Sequence, residues 1–162
     1  MISQDELILH RSEWKRNGKR LVFASGSFDL LHPGHIRLLE QARAQGDLLV
    51  VGIESDASVR EKHAGAASPL DRPITPSAER AEIVAALASV DYAVEFDPRS
   101  SRALIARLAP EVIVKGGNPG SDRAAFQEDE ASSSAGSKVI RIPLEPGHST
   151  ARLLERIKNL SA

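Results

Sequence analysis

Two histidines three positions apart, His32 and His35, enclose Pro33 and Gly34 in the stretch GSFDLLHPGH (26–35), directly after a short apolar run. An imidazole near neutral pH supplies a hydrogen-bond donor, a proton, or a lone pair for a metal. A glycine between two of them leaves room for an anion to approach the backbone. The spacing speaks against a metal pair, which is more usually i, i+4 on one helix face and completed by a carboxylate or a third histidine. No such third ligand can be located in the sequence, and no metal-ligating residue is assigned. Beside the anion reading stands a plain one, in which H-x-G-H is a turn with one histidine capping a helix and the other on the surface.

A second cluster, PGHSTARL (146–153), offers the hydroxyls of Ser149 and Thr150. Taken by spacing alone, helix capping is the favoured role, because Ser and Thr are default caps. If the last strand lies beside the first helix of the sheet, the same hydroxyls can hold a β- or γ-phosphate. In VKGGN (114–118), Lys115 reads either as a solvated charge or as a ligand-facing cation, and Gly116 and Gly117 let the backbone pass close to a ligand.

The elements that must position these residues follow from periodicity. Runs rich in Val and Ile at 20–25, 47–53, 91–96, 111–116 and 138–143 predict buried strands, and segments of helical period at 35–45, 77–90, 101–109 and 149–160 lie between or after them. The alternation predicts an α/β fold, a Rossmann-like, doubly wound, five-stranded parallel sheet with helices on both faces and ligands at the carboxyl ends of its strands. Residues 1–18 are expected to add an N-terminal helical extension to a single domain covering 1–162. On this scaffold Pro33 opens the first helix after the first strand, and His35 falls in its first turn. Free backbone N–H groups and a partial positive charge there suit a phosphate. The stretch lacks both G-x-G-x-x-G and G-x-x-x-x-G-K-[ST], so no other phosphate loop competes. Two stretches break the rhythm, the Pro/Gly/Ala/Ser loop 63–76 and the polar, serine-rich variable segment 118–137.

Composition narrows the partners. The 162 residues carry 21 Lys+Arg against 22 Asp+Glu, a net charge of -1, so no nucleic-acid footprint stands out. Cysteine is absent, which removes disulfides and thiolate chemistry. Neither a signal peptide nor an apolar run approaching the ~20 residues of a membrane span is found, and a cytoplasmic protein acting on small molecules is expected.

GSFDLLHPGH together with GDLLVVGIESDASVR, RPITPSAERAEIVAALASVDYAVEFD, PEVIVKGG and PGHST resembles the cytidylyltransferase-like nucleotidyltransferases that carry an HxGH motif, from about Lys19 to the C-terminus. Within them the sequence is most similar to the domain that makes ADP-heptose from heptose 1-phosphate and ATP. The sugar-kinase half often fused to that domain is not part of this sequence. Glycerol-3-phosphate cytidylyltransferases share HxGH but tend to have an arginine where Leu144 stands and lack VKGG.

The resemblance implies that His32 and His35 contact the α- and β-phosphates, and that Ser25, Gly26, Ser27, Phe28 and Gly34 line the nucleotide pocket. Arg80, Lys115, Gly116, Gly147, Ser149 and Thr150 would complete the nucleotide side, with Asp29, Lys62 and Asn118 toward the acceptor. It implies ATP as substrate and Mg²⁺ bound mainly through the nucleotide phosphates, a phosphorylated small-molecule acceptor, and a homodimer as a family-level expectation. The departures fall on the acceptor side: Asn118 replaces an aspartate of VKGGD, His63 stands where a lysine is usual with Lys62 one residue early, and loop 64–71 and segment 118–137 are atypical. The expected reaction is AMP transfer from ATP to a sugar phosphate such as heptose 1-phosphate with release of pyrophosphate. Cytidylyl transfer to glycerol 3-phosphate, FMN adenylyl transfer and a non-catalytic nucleotide-binding regulatory domain are the alternatives.

Overall fold

The computed structural model describes residues 1–64, 71–117, 136–143 and 145–160, without the side chains of Ser100 and Ser101. Five strands, β1 (Leu21–Gly26), β2 (Leu48–Glu54), β3 (Tyr92–Phe96), β4 (Val112–Gly116) and β5 (Lys138–Ile142), form one sheet in the order β3-β2-β1-β4-β5. Every pairing is parallel, with Ala24 opposite Val51 on one side and Val114 on the other. The helices are α1 (Gln4–Arg16), α2 (Pro33–Arg43), α3 (Asp56–His63), α4 (Ser77–Ala85), α5 (Ser101–Leu108) and α6 (Thr150–Leu160).

The pleat of β1 sends alternate side chains to two cores. Val22 and Ala24 join Leu39 and Ala42 of α2 and Ala81 and Val84 of α4, while Leu21 and Phe23 join Leu7 and Trp14 of α1 and Leu104 and Leu108 of α5. Growth of the sheet from β1 to β3 places α2 and α4 on one face. The chain then returns past β1 to β4, and a right-handed crossover in the reverse direction puts α5 on the opposite face. The crevice where that reversal occurs opens at the carboxyl ends of β1 and β4, the position at which such sheets bind ligands.

The expected α/β architecture with helices on both faces is the observed one. Three local expectations change. Helix α4 stops at Ala85 instead of reaching 90, because Ala86 and Leu87 turn the chain toward Val90, whose amide donates to Leu87 O. Residues 56–63, for which no helix is expected from periodicity, form α3, whose N-cap Ser55 accepts from the amide of Ser58. Strand β5, expected to be buried, is an edge strand in which only Ile142 is fully covered. Residues 1–18 supply more than an appendage, since α1 buries Leu7 and Trp14 in the second core. Arg11 of that helix bonds Leu108 O, Ala109 O and the Glu111 carboxylate, and so clamps the turn in which Ala109 takes φ +41°. Among the described residues no helix is long and apolar enough to cross a membrane.

Candidate active site

The end of β1 feeds a tight bend before α2. Phe28 takes φ +47°, a left-handed conformation that costs a non-glycine residue about 1–2 kcal/mol. Asp29, its side chain fully enclosed, fixes that bend: its Oδ1 accepts from the amides of Ile74 (2.7 Å) and Thr75 (3.0 Å), and its Oδ2 pairs with Arg72 at 2.9 Å. The Phe28 ring folds back over Gly26, where a Cβ would sit 3.1 Å from it and press the ring aside by a few tenths of an ångström. Phe28 then meets His35 edge-on, with ring centroids 5.3 Å apart.

His32 is the N-cap residue of α2, Pro33 its first residue, and His35 lies in the first turn. The imidazole of His32 makes no cap hydrogen bond, so the turn-and-cap alternative for this pair does not describe the site. Instead the two rings stack, centroids 3.8 Å apart and 16° from parallel. The Nδ1 atoms of both are enclosed without a hydrogen-bond partner. Burial, and then the neighbouring His32, hold the His35 ring down to about 4, while burial and then His148 lower His32. Both rings are therefore neutral at pH 7 in the ligand-free chain. Both imidazoles keep unspent hydrogen-bonding capacity at the start of α2, where Pro33 has no N–H and the His35 amide already donates to His32 O, so an oxyanion placed there would meet the rings and the Gly34 amide.

The loop before α6 closes over this pair. A Cβ on Gly34 would lie 3.1 Å from the His32 ring and 3.2 Å from the Cβ of His148, so the glycine permits the two segments to touch. His148 stacks on the His32 side, 6.2 Å between centroids and 24° from parallel. Sequence reasoning passed over His148, which sits between the Gly147 and Ser149 it singled out; its only signal was a third histidine in a loop expected near the first helix. Arg37 of α2 and Glu145 form an ion pair that holds the loop in place. Ser149 caps α6 by accepting from the amide of Arg152 at 3.1 Å, as its spacing suggested, and Gly147 takes φ +83°.

The remaining residues singled out from the sequence divide in two. Ser25, Gly26 and Ser27 are partly exposed at the mouth of the crevice, and Lys115 and Gly116 end the neighbouring strand at the same edge. Arg80 is different: its side chain is 0% exposed, and it bonds Thr75 O at 2.8 Å, Ser27 O, Glu54 O at 2.8 Å and Asp56 Oδ1 at 2.6 Å. In this arrangement it ties four chain segments together and presents no face to a phosphate. Asp29 likewise spends its oxygens on the 72–75 segment. Lys62 of α3 pairs with Glu54 at 2.7 Å and remains about half exposed. Asn118 and most of the segment 118–137 lie outside the described residues. Among the described residues no group of three or more His, Asp or Glu is arranged to hold a metal ion. Among the described residues the donor set therefore offers Mg²⁺ no protein cage.

Against known proteins, the family model described as cytidylyltransferase-like matches residues 23–156, from within β1 through β5 and into α6, and so takes in both ends of the site. The chain belongs to the cytidylyltransferase-like family. It is a nucleotidyltransferase domain, with the crevice at β1, α2 and α6 as its candidate active site. It is 43% identical over 156 residues to the bifunctional protein HldE of Koribacter versatilis, covering 96% of this chain and 31% of that one. To HldE of Geotalea uraniireducens it is 46% identical over 144 residues, 89% of this chain and 28% of the other. The chain thus spans about a third of the length of these relatives. Among solved structures, the lipopolysaccharide core biosynthesis protein of Thermoplasma volcanium superposes with a TM-score of 0.62 at 26% identity, over 79% of this chain and 98% of that one. A pantoate-beta-alanine ligase of Francisella tularensis, at 16% identity and a TM-score of 0.61, shares the fold.

Proposed function

We propose that the chain transfers AMP from ATP to a sugar 1-phosphate of the heptose class and releases pyrophosphate. The observation that carries the transfer chemistry is the stacked pair His32 and His35, each with an enclosed nitrogen lacking a partner at the start of α2. A phosphate oxygen of the acceptor attacks the α-phosphorus in line, a new P–O bond forms, and the bond to the β-phosphate oxygen breaks as pyrophosphate departs. The nucleophile is already anionic at neutral pH, so the step needs no general base. What it needs is alignment and donors for the negative charge on the α-phosphate and the leaving group. His32 and His35 are placed to donate to the α- and β-phosphates, and Ser25, Gly26, Ser27, Phe28, Lys115 and Gly116 to line the nucleotide side. Gly147, Ser149, Thr150 and the first amides of α6 serve the outer phosphates. Arg80 contributes through the Ser27 carbonyl it holds. The acceptor enters on the side of Lys62 and Asn118, and Asp29 contributes only through the bend that it fixes.

The choice of ATP and a heptose phosphate rests on the resemblance of VKGG and PGHST to the ADP-heptose branch and on the identity to proteins named HldE. Pyrophosphate release, measured for ATP and CTP against heptose 1-phosphate, glycerol 3-phosphate and FMN, tests it. The expected result is turnover with ATP and heptose 1-phosphate above every other combination. Preference for CTP with glycerol 3-phosphate, or for ATP with FMN, would replace the substrate assignment. Nucleotide binding without pyrophosphate release from any pair would replace it with a regulatory role.

A further inference from the structure

The row of imidazoles at the crevice does not end with His32. Its neighbour His148 is partly buried, stacks 6.2 Å from the His32 ring, and has its Cβ pressed against Gly34, so it belongs to the same wall as the pair on α2. Among the described residues its ring makes no hydrogen bond. The loop carrying it is anchored by the Arg37–Glu145 pair, by the bond from the His148 amide to Glu145 O and by the Ser149 cap, which leaves the ring standing on a defined backbone. The charged and titratable groups around it are His32 and His35 from α2, Arg37 with Glu145, and Arg152, whose Nη1 lies 3.6 Å from the Cβ position of Gly147. That set is predominantly basic, its one carboxylate is paired with Arg37, and it sits at two adjoining helix starts.

We propose that His148 is a third phosphate-binding imidazole, which donates to the outer phosphates of the nucleoside triphosphate engaged by His32 and His35, and that the imidazole row takes up protons when that nucleotide binds. The proposal rests on the nucleotidyltransferase reading above. Burial and then the neighbouring imidazole disfavour the charged forms of His32 and His35 in the free chain, and a polyanion reverses that balance by favouring imidazolium beside it. Triphosphate binding therefore strengthens as the pH falls from 8 to 6. Because the outer phosphates leave as pyrophosphate, a donor to them acts mainly on nucleotide affinity, whereas His35, beside the reacting phosphate, acts on turnover.

Calorimetric titration of the chain with ATP, in two buffers of different ionisation enthalpy, measures the protons taken up, and steady-state kinetics separates KM from kcat. His148→Ala is expected to weaken ATP binding about tenfold, the size of a lost charge-assisted hydrogen bond, with kcat changed by less than about threefold. Proton uptake at pH 7 should fall as well. His148→Gln, which keeps a donor that does not titrate, is expected to hold affinity within about threefold at pH 8 and to flatten the pH dependence. Unchanged affinity and proton uptake in both variants, with a lower melting temperature only, would overturn the proposal and leave His148 as packing against Gly34. A wild-type chain that binds no nucleoside triphosphate would overturn the nucleotidyltransferase reading and this proposal together.

Discussion

His32 and His35 at the start of α2, and Asp29 with Arg80 just before and behind it, are all polar groups drawn into the same corner of the fold, yet they end in opposite states. The histidines have nitrogens that are enclosed and unpartnered. Asp29 accepts from two amides and Arg72, and Arg80 spends its guanidinium on three carbonyls and Asp56. A polar group at a crevice with hydrogen-bonding capacity left unspent is one that a ligand can satisfy. A buried ion whose bonds are complete is the part that holds the frame. Residue type does not separate these roles, since an arginine is as good a phosphate donor as a histidine.

The contrast can be broken most severely at Arg80. Arg80→Ala removes a side chain that is 0% exposed and strands Asp56 and three carbonyls, with an expected loss of about 3–5 kcal/mol of unfolding free energy. Denaturant unfolding reads it, and Arg80→Lys should not rescue, because one ammonium cannot reproduce the guanidinium fork. A variant of native stability that has lost only nucleotide affinity would instead make Arg80 a direct phosphate ligand. His35→Ala should do the opposite, lowering kcat by about 10²–10³ while the unfolding midpoint stays close to wild type. Near-wild-type turnover would return the histidine pair to a packing role. His35 adds a pH term of known sign: its ring is held down to about 4, below its ordinary 6.5, so the folded chain binds fewer protons than the unfolded one between those values. Its contribution to stability is thus present above pH 6.5 and declines as the pH falls toward 4, and acid titration of the unfolding midpoint should show the decline lessened in His35→Ala.

Smaller substitutions sharpen the boundary between frame and site. Gly34→Ala places a methyl 3.1 Å from the His32 ring and 3.2 Å from the His148 Cβ, so one of them must shift by a few tenths of an ångström. The expected outcome is about a tenfold loss in kcat/KM with about 1–3 kcal/mol of destabilisation, the usual range for overpacking. Intact kinetics would mean that the His148 loop yields without disturbing the pair. The smallest effect belongs to Ser149→Ala, which deletes the cap of α6 at a cost of about 1 kcal/mol in stability. If KM for ATP rises as well, the Ser149 hydroxyl serves the outer phosphates besides capping.

Much of this was legible before any coordinates. Alternating Val/Ile runs and helical periods located all five strands and five of the six helices, because burial on both faces of a parallel sheet imposes long apolar runs. The one missed helix, α3, is polar and short, so its apolar positions leave no clear period, and only the Ser55 cap marked its start. Pro33 and Gly34 were enough to put His32 and His35 at a helix start, since proline fixes φ at a value suited to the first turn.

What the letters could not contain is the partner of each polar group. Arg80 lies 53 residues from the carbonyl of Ser27, and Asp29 lies 45 from the amide of Ile74. Those separations close only when α4 and the 72–75 segment pack against the end of β1. His148 lies 116 residues from His32 and meets it only because β5 and β1 flank β4, which brings the start of α6 over the start of α2. Sequence by itself determined the periods, the turn residues and the stock of donors, all of which are local properties of the chain. Tertiary structure alone decided which donors were spent and which were left open, because a hydrogen bond depends on a separation of about 3 Å that chain distance does not set.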